Sequence, residues 1–238
     1  MSSYRDSLDW SRVEPLIRSV ARAGEATRTF LRLDPERQSA VVNAILAEAA
    51  EKGPTSINIK EVARRAGVSV GSLYQYFGSR DGLIRFTVTL CVRYTEGLFE
   101  EFGPTLAAMP LAEGLRTYVL GGIEWGETER GLVKFFGRAA YSGNPEMITS
   151  VVRPVAEVIL GVTREMVSRA AARGELRSDL DLEAATRVVN LLLIAIGDSQ
   201  LFGYLNNYFR VTDDAMTLER ILESALSLLA DGMGQHDV

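Results

Sequence analysis

The chain has 238 residues, 47% of them hydrophobic, enough to fill a substantial core; its single cysteine, Cys91, excludes an internal disulfide and any cysteine-cluster metal site. One histidine, His236, in a polar tail gives histidine-dependent catalysis no support. The net charge of −5 is uneven: residues 1–80 carry 12 Lys and Arg against 9 Asp and Glu, and the remainder 14 against 22, so an acidic body carries a mildly basic head suited to a polyanion.

The N-terminus "MSSYRDSLDW" lacks a basic-then-apolar leader pattern, and the longest apolar run, "LLLIAIG" at 191–197, falls far short of the ~20 residues of a spanning helix. A cytoplasmic, unexported protein with no membrane partner is expected. Helical periodicity dominates, no segment alternates with period two, and no internal repeat is present; the expected fold class is all-α.

A first helix is expected near "SRVEPLIRSV", with Ser11 and Glu14 at capping-box spacing and an apolar stripe of Val13, Leu16, Ile17 and Val20. A second begins at Asp34–Pro35, a cap followed by a proline at the first helical position, and stops at Gly53–Pro54. In "NIKEVARRAG" Asn58 caps, Glu61 stands three residues on, and Gly67 allows the turn. Ser69 caps the short helix "VGSLYQYF", and Ser79 opens a long apolar helix from about Asp81 to Phe102. Further helices are expected near 111–127, 130–142, 145–173, 181–206 and 213–231, with Pro154 kinking or breaking the third of these.

Two helices joined by a short glycine-containing turn form a helix-turn-helix. Ala63 allows close approach, and Val68, Leu73 and Phe77 lock the second helix inward. The opposite face, Val70, Gly71, Ser72, Tyr74, Gln75 and Tyr76, is left for a major groove, where base edges are read and phosphates are held by hydroxyls and cations. Arg64 and Arg65 read as a solvated face, and Cys91 as a buried small residue.

The stretch from about 35 to 85, through "INIKEVARRAGVSVGSLYQYFGSRDGLI", also resembles the TetR (tetracycline repressor-like) family of bacterial regulators. The resemblance implies a three-helix DNA-binding head at 34–80 joined to a helical ligand-binding and dimerisation body at 81–238, with 1–33 as an additional N-terminal segment. Carried onto matching positions, it implies base-edge roles for Val70, Gly71 and Gln75 and phosphate roles for Ser72, Tyr74, Tyr76 and Arg80, with the Ser69 cap beside them. Asn58 and Lys60 are expected near the backbone as well. Arg80 stands where lysine is more usual; either cation serves.

The resemblance further implies a small-molecule effector, a homodimer through the last two helices, repression of a palindromic operator, and the helix from Asp81 as the lever between ligand and head. Independently, "LEAATRVVNLLLIAIGDSQLFGYL" is apolar nearly all round and "MTLERILESALSLLA" carries more apolar surface than one surface helix needs. Asn190 and Asp198 would face that pairing or a pocket. Candidate ligand-binding residues are Phe86, Tyr94, Tyr118, Trp125, Phe135, Phe136, Tyr141, Met147 and Phe202, weighed against ordinary core roles. No catalytic constellation, metal-ligand spacing or cofactor motif is present, so the chain is not expected to be an enzyme or to need a cofactor. The alternatives are a DNA-binding protein that senses nothing and, less well supported, an all-α enzyme. For the segment before Pro35, packing on the head or on the partner subunit through Val13, Leu16, Ile17 and Val20 is the first expectation, and arginine contact with DNA the second.

Overall fold

The computed structural model describes residues 9–235, so the first eight residues and His236 lie outside the described residues. Among the described residues the named elements are all helical. The chain begins with α1 (Trp10–Arg22), whose cap is Asp9 and not Ser11: Asp9 Oδ1 accepts the Ser11 backbone N–H at 3.0 Å and the Ser11 hydroxyl at 2.7 Å. A carboxylate two residues earlier captures the free N–H groups first. Val13, Ile17 and Val20 are buried and Leu16 partly so.

After α2 (Arg28–Leu31), α3 (Pro35–Lys52) starts as expected, with Asp34 accepting the Arg37 N–H at 2.9 Å, and ends at Gly53 with φ +90°. Next come α4 (Ile59–Ala66), α5 (Val70–Phe77) and α6 (Arg80–Ala108). Helix α6 runs past the expected end at Phe102 and through Pro104. The proline removes one bond to the exposed Glu100, whose carbonyl water can serve, while Leu106 and Ala107 beyond it are buried.

The later elements are α7 (Leu111–Thr128), α8 (Arg130–Tyr141), α9 (Pro145–Met147) and α10 (Arg153–Ala172), then α11 (Leu182–Leu201), α12 (Gly203–Phe209) and α13 (Leu218–Met233). Pro154 does not break its helix. A π-helical turn, Ile148–Val152, joins α9 to α10, and its wider loop, in which the Arg153 N–H reaches back to the Ile148 carbonyl, absorbs the missing donor and the ring. The expected 181–206 helix divides at Phe202, where φ −123° and ψ 85° leave the helical region. The last helix starts at Leu218 instead of 213 because Asp213 accepts from the N–H groups of Ala215 and Met216, both at 2.9 Å, and holds a tight turn ahead of the Thr217 cap.

By packing, the chain forms two compact units whose limits differ from boundaries at 33/34 and 80/81. The first takes residues up to Gly97 together with Thr128–Val155; the second takes Leu98–Glu127 and the chain from Ala156. Within the first unit α3 packs on α4 and on α8, where Arg138 Nε donates to the Ala50 carbonyl at 2.7 Å. The second unit closes around Leu115, Val119, Met166, Val167, Val189, Leu193 and Leu222.

Candidate nucleic-acid interface

Helix α4 ends in the left-handed residue Gly67 (φ +66°, ψ 29°), and the Val68 N–H bonds the Ala63 carbonyl at 3.0 Å, closing the turn expected of a helix-turn-helix. Ser69 then caps α5 by accepting the Ser72 N–H at 2.9 Å. Leu73 and Phe77 are buried, Val68 is half-buried, and Tyr74 (46% exposed), Gln75, Gly71 and Ser69 face out, with Val70 and Ser72 half-exposed. Tyr76 departs from the outward face: it is 8% exposed, its ring 5.7 Å from Phe30 and 6.2 Å from Phe77. Helix spacing explains this, since Tyr76 follows Leu73 by three residues and shares its inward side.

Asn58 accepts the Lys60 N–H at 3.0 Å and so caps α4, but Glu61 does not complete a capping box. The Asn58 N–H instead donates to the buried Glu48 at 3.3 Å. Glu61 is drawn off by Arg64 and Arg65, whose hydrogen bonds hold its carboxyl down to about 2. Arg65 also pairs with Glu51 at 2.8 Å and lies 3.6 Å from Glu48 Oε2, an ion pair though not a hydrogen bond, since that oxygen has no hydrogen-bond partner. Arg80 donates to the carbonyls of Thr55 and Ile57 and so holds the segment leading into α4. Lys60 is exposed.

The helix-turn-helix has a second support that sequence reasoning missed. The Thr27 N–H donates to the Tyr76 carbonyl at 2.9 Å and its hydroxyl to the Gln75 carbonyl at 2.7 Å, satisfying two acceptors in the last turn of α5. Phe30, fully buried, lies 5.1 Å from Phe77 and 5.5 Å from Phe86. The segment before Pro35 therefore meets the head through Thr27 and Phe30, residues outside the expected stripe of Val13, Leu16, Ile17 and Val20. Nothing local distinguishes "TRTF" from an ordinary loop, because both partners of the clasp are backbone atoms 48 or more residues away.

At the other end of α1, Glu129 is 5% exposed and its Oε1 accepts from the Tyr94 hydroxyl at 3.0 Å and the Asp9 N–H at 3.1 Å. Burial pushes the Glu129 carboxyl up, the two donors offsetting part of that, and burial together with the neighbouring carboxylate pushes the Tyr94 phenol up.

The nine candidate ligand residues fall in both units. Phe86 is in the aromatic core beneath α5, Phe135 is fully buried with Phe136 against its edge at 5.5 Å, and Tyr141 is 45% exposed. In the second unit Tyr118 stacks on Phe99 at 6.1 Å, its phenol pushed up by burial and by Asp198, while Trp125 and Phe202 are half-buried. Asn190 faces inward, accepting from the Thr163 hydroxyl at 3.2 Å. Of the nine, Met147 lines a cleft of ≈ 520 Å³ in the first unit, with Glu25, Ile84, Arg85, Val88, Arg93 and Glu146 among its walls. Glu25 Oε2 is buried there with no hydrogen-bond partner among the described residues. Among the described residues no group of acidic, cysteine or histidine side chains could hold a metal ion, and no helix is long and apolar enough to cross a membrane.

Residues 41–85 match the family model described as bacterial regulatory proteins, tetR family. Over 56 residues the chain is 36% identical to the HTH-type transcriptional regulator BetI 2 of Chromohalobacter salexigens, covering 24% of this chain and 27% of that protein. BetI of Rhizobium meliloti is likewise 36% identical over 56 residues, 24% of this chain and 28% of the relative. The chain thus aligns with about a quarter of the length of these curated relatives. At the level of fold the likeness covers nearly everything: a TetR family transcriptional regulator from Chloroflexus aurantiacus superposes with a TM-score of 0.59 at 22% identity, over 89% of this chain and 99% of that one. FadR of Bacillus subtilis, solved in complex with stearoyl-CoA, superposes with a TM-score of 0.57 at 16% identity, over 81% and 97%. The sequence of the helix-turn-helix thus matches the tetR family of bacterial regulatory proteins over residues 41–85, and the fold behind it is that of solved TetR family regulators.

Proposed function

We propose that the protein is a ligand-responsive regulator that binds a two-fold DNA operator as a homodimer and lets go when a small molecule binds, acting as a repressor. The observation that carries this reading is the outward face of α5: Gly71, Tyr74 and Gln75 are exposed and Val70 half-exposed, while the other face is fixed by the Gly67 turn, the Ser69 cap and the Thr27 clasp. A short, rigid helix with hydroxyls, an amide and a bare glycine suits a major groove. In this reading residues 34–80 read DNA, the segment before them braces that head, and the chain from 81 carries effector and partner. Val70, Gly71 and Gln75 meet base edges; Asn58, Lys60, Ser69, Ser72 and Tyr74 hold phosphates.

Dimerisation is assigned to α11 and α13. Val188, Leu191 (66% exposed) and Leu192 on α11 and Leu228 (73% exposed) on α13 leave apolar side chains in water, which a second copy would cover. The effector is a small molecule; a relative of the same fold holds stearoyl-CoA, which supports a sensing body. The cleft at Met147 is one place from which an effector would reach the DNA-reading helix, since its wall residue Glu25 stands two residues from Thr27. Helix α6, whose residues belong to both units, is the element through which an effector elsewhere would act. Differential affinity for the bound and released forms suffices, and a tenfold change in operator affinity corresponds to ~1.4 kcal/mol.

Gln75→Ala is the direct test of the reading. When bound fragments are selected from random duplex DNA with the parent protein and with this variant, the variant is expected to show relaxed preference at one position per half-site, by about 1–3 kcal/mol for a lost bidentate contact. An unchanged motif would remove Gln75 from the base-reading set.

A further inference from the structure

Helix α5 contains no lysine or arginine, so the positive charge that holds a polyanion against it has to come from neighbouring elements. Several cations of the head and of the segment before it are committed. Arg64 and Arg65 are bound by Glu61 and Glu51, Arg37 by Asp34 at 3.4 Å, Arg18 by Glu14 at 2.8 Å, Arg12 lies 3.5 Å from Asp9, and Arg80 is spent on two backbone carbonyls. Lys60 is exposed at the start of α4. On the other flank, Arg28 and Arg32 bracket α2, and both are exposed.

Their position is fixed from both sides. Thr27, next to Arg28, is bonded to the Gln75 and Tyr76 carbonyls, and Phe30, between the two arginines, is buried against Tyr76 and Phe77. The Phe30 carbonyl is held in turn by Gln38 Nε2 at 3.1 Å. Two guanidinium groups are thus carried on a braced turn beside the last turn of α5, and among the described residues no carboxylate is bonded to either.

We propose that Arg28 and Arg32, contributed by a segment outside the matched 41–85 module, form a second DNA-backbone surface that clamps the phosphates flanking the half-site read by α5. This rests on the DNA-binding reading and adds to it a surface of defined chemistry. Guanidinium groups bind phosphate through paired N–H donors and carry no sequence information, so the surface sets affinity and register and leaves base preference alone.

The test is the salt dependence of binding, measured by fluorescence anisotropy with the full chain on a selected operator duplex and on a random-sequence duplex of equal length. The Arg28→Ala/Arg32→Ala variant is expected to bind both more weakly and to lower the magnitude of the log–log salt slope by about 0.9 per lost phosphate contact, about 1.8 per protomer. Arg28→Lys/Arg32→Lys should restore most of the slope. Arg18→Ala, which removes an ion-paired charge from the same segment, should leave it unchanged, and all variants should keep the parent melting temperature because the arginines are exposed. A wild-type protein with a steep slope that the double alanine variant retains overturns this proposal and spares the DNA-binding reading. A wild-type protein that binds neither duplex overturns both.

Discussion

Glu129 is a buried carboxylate whose folded state favours the proton, because burial raises it above its ordinary value near 4.5. The sign of its pH dependence follows from linkage. Between the unfolded and the raised folded pKa the native state binds more protons, so the stability that Glu129 contributes is greatest below about 4.5 and is lost as pH rises through the folded value. Glu129→Gln keeps an oxygen acceptor for Tyr94 and Asp9 and removes the charge. The melting temperature of the wild type relative to this variant should therefore fall as pH rises from 4.5 and level off once Glu129 is ionised; a constant difference would mean that the carboxyl does not titrate differently in the folded chain. Gly82 makes a sharper demand at the same scale. A Cβ there would lie 2.0 Å from the Phe77 carbonyl oxygen, a backbone atom that cannot swing aside, so Gly82→Ala should cost more than an ordinary core substitution, which seldom exceeds about 4–5 kcal/mol, and leave little folded protein.

Between elements, the contact that matters most is the clasp of α2 on the last turn of α5. Thr27→Val deletes the bond to the Gln75 carbonyl and is expected to cost about 0.5–1.5 kcal/mol by urea denaturation, while Phe30→Ala, which empties the aromatic core beneath α5, should cost about 3–5 kcal/mol. If both left stability unchanged, the segment before Pro35 would not be bracing the head. The sequence made the helix-turn-helix readable because its signals are local: Asp34, Asn58, Ser69 and Gly67 each act on atoms within four residues. What stayed hidden depends on atoms far along the chain or on competition between close neighbours. The clasp needs Thr27, 48 residues from Gln75. Tyr76 follows Leu73 inward by helix spacing and meets Phe30 at 5.7 Å, Glu61 leaves its cap because Arg64 and Arg65 compete for it, and Pro154 sits in an unbroken helix because a π turn precedes it. Residue type alone does not separate core from cavity: of the candidate ligand residues Phe86 and Phe135 are core, while Met147 lines a cleft.

For the whole molecule, the proposed pairing through the exposed apolar side chains of α11 and α13 would tie binding to assembly. Leu191→Glu with Leu228→Glu would place four carboxylates in a two-fold interface and is expected to yield monomers by sedimentation equilibrium, with operator affinity falling because each half-site is then held alone. A double variant that stays dimeric would move the interface elsewhere. The central claim is that this chain reads DNA with two copies of α5, and selection of bound fragments from random duplex DNA tests it most directly. The expected result is a two-fold motif whose half-sites lie one helical turn apart or a multiple of it, roughly 34–36 Å per turn. Recovery of no enriched motif, or of one without two-fold symmetry, would contradict it.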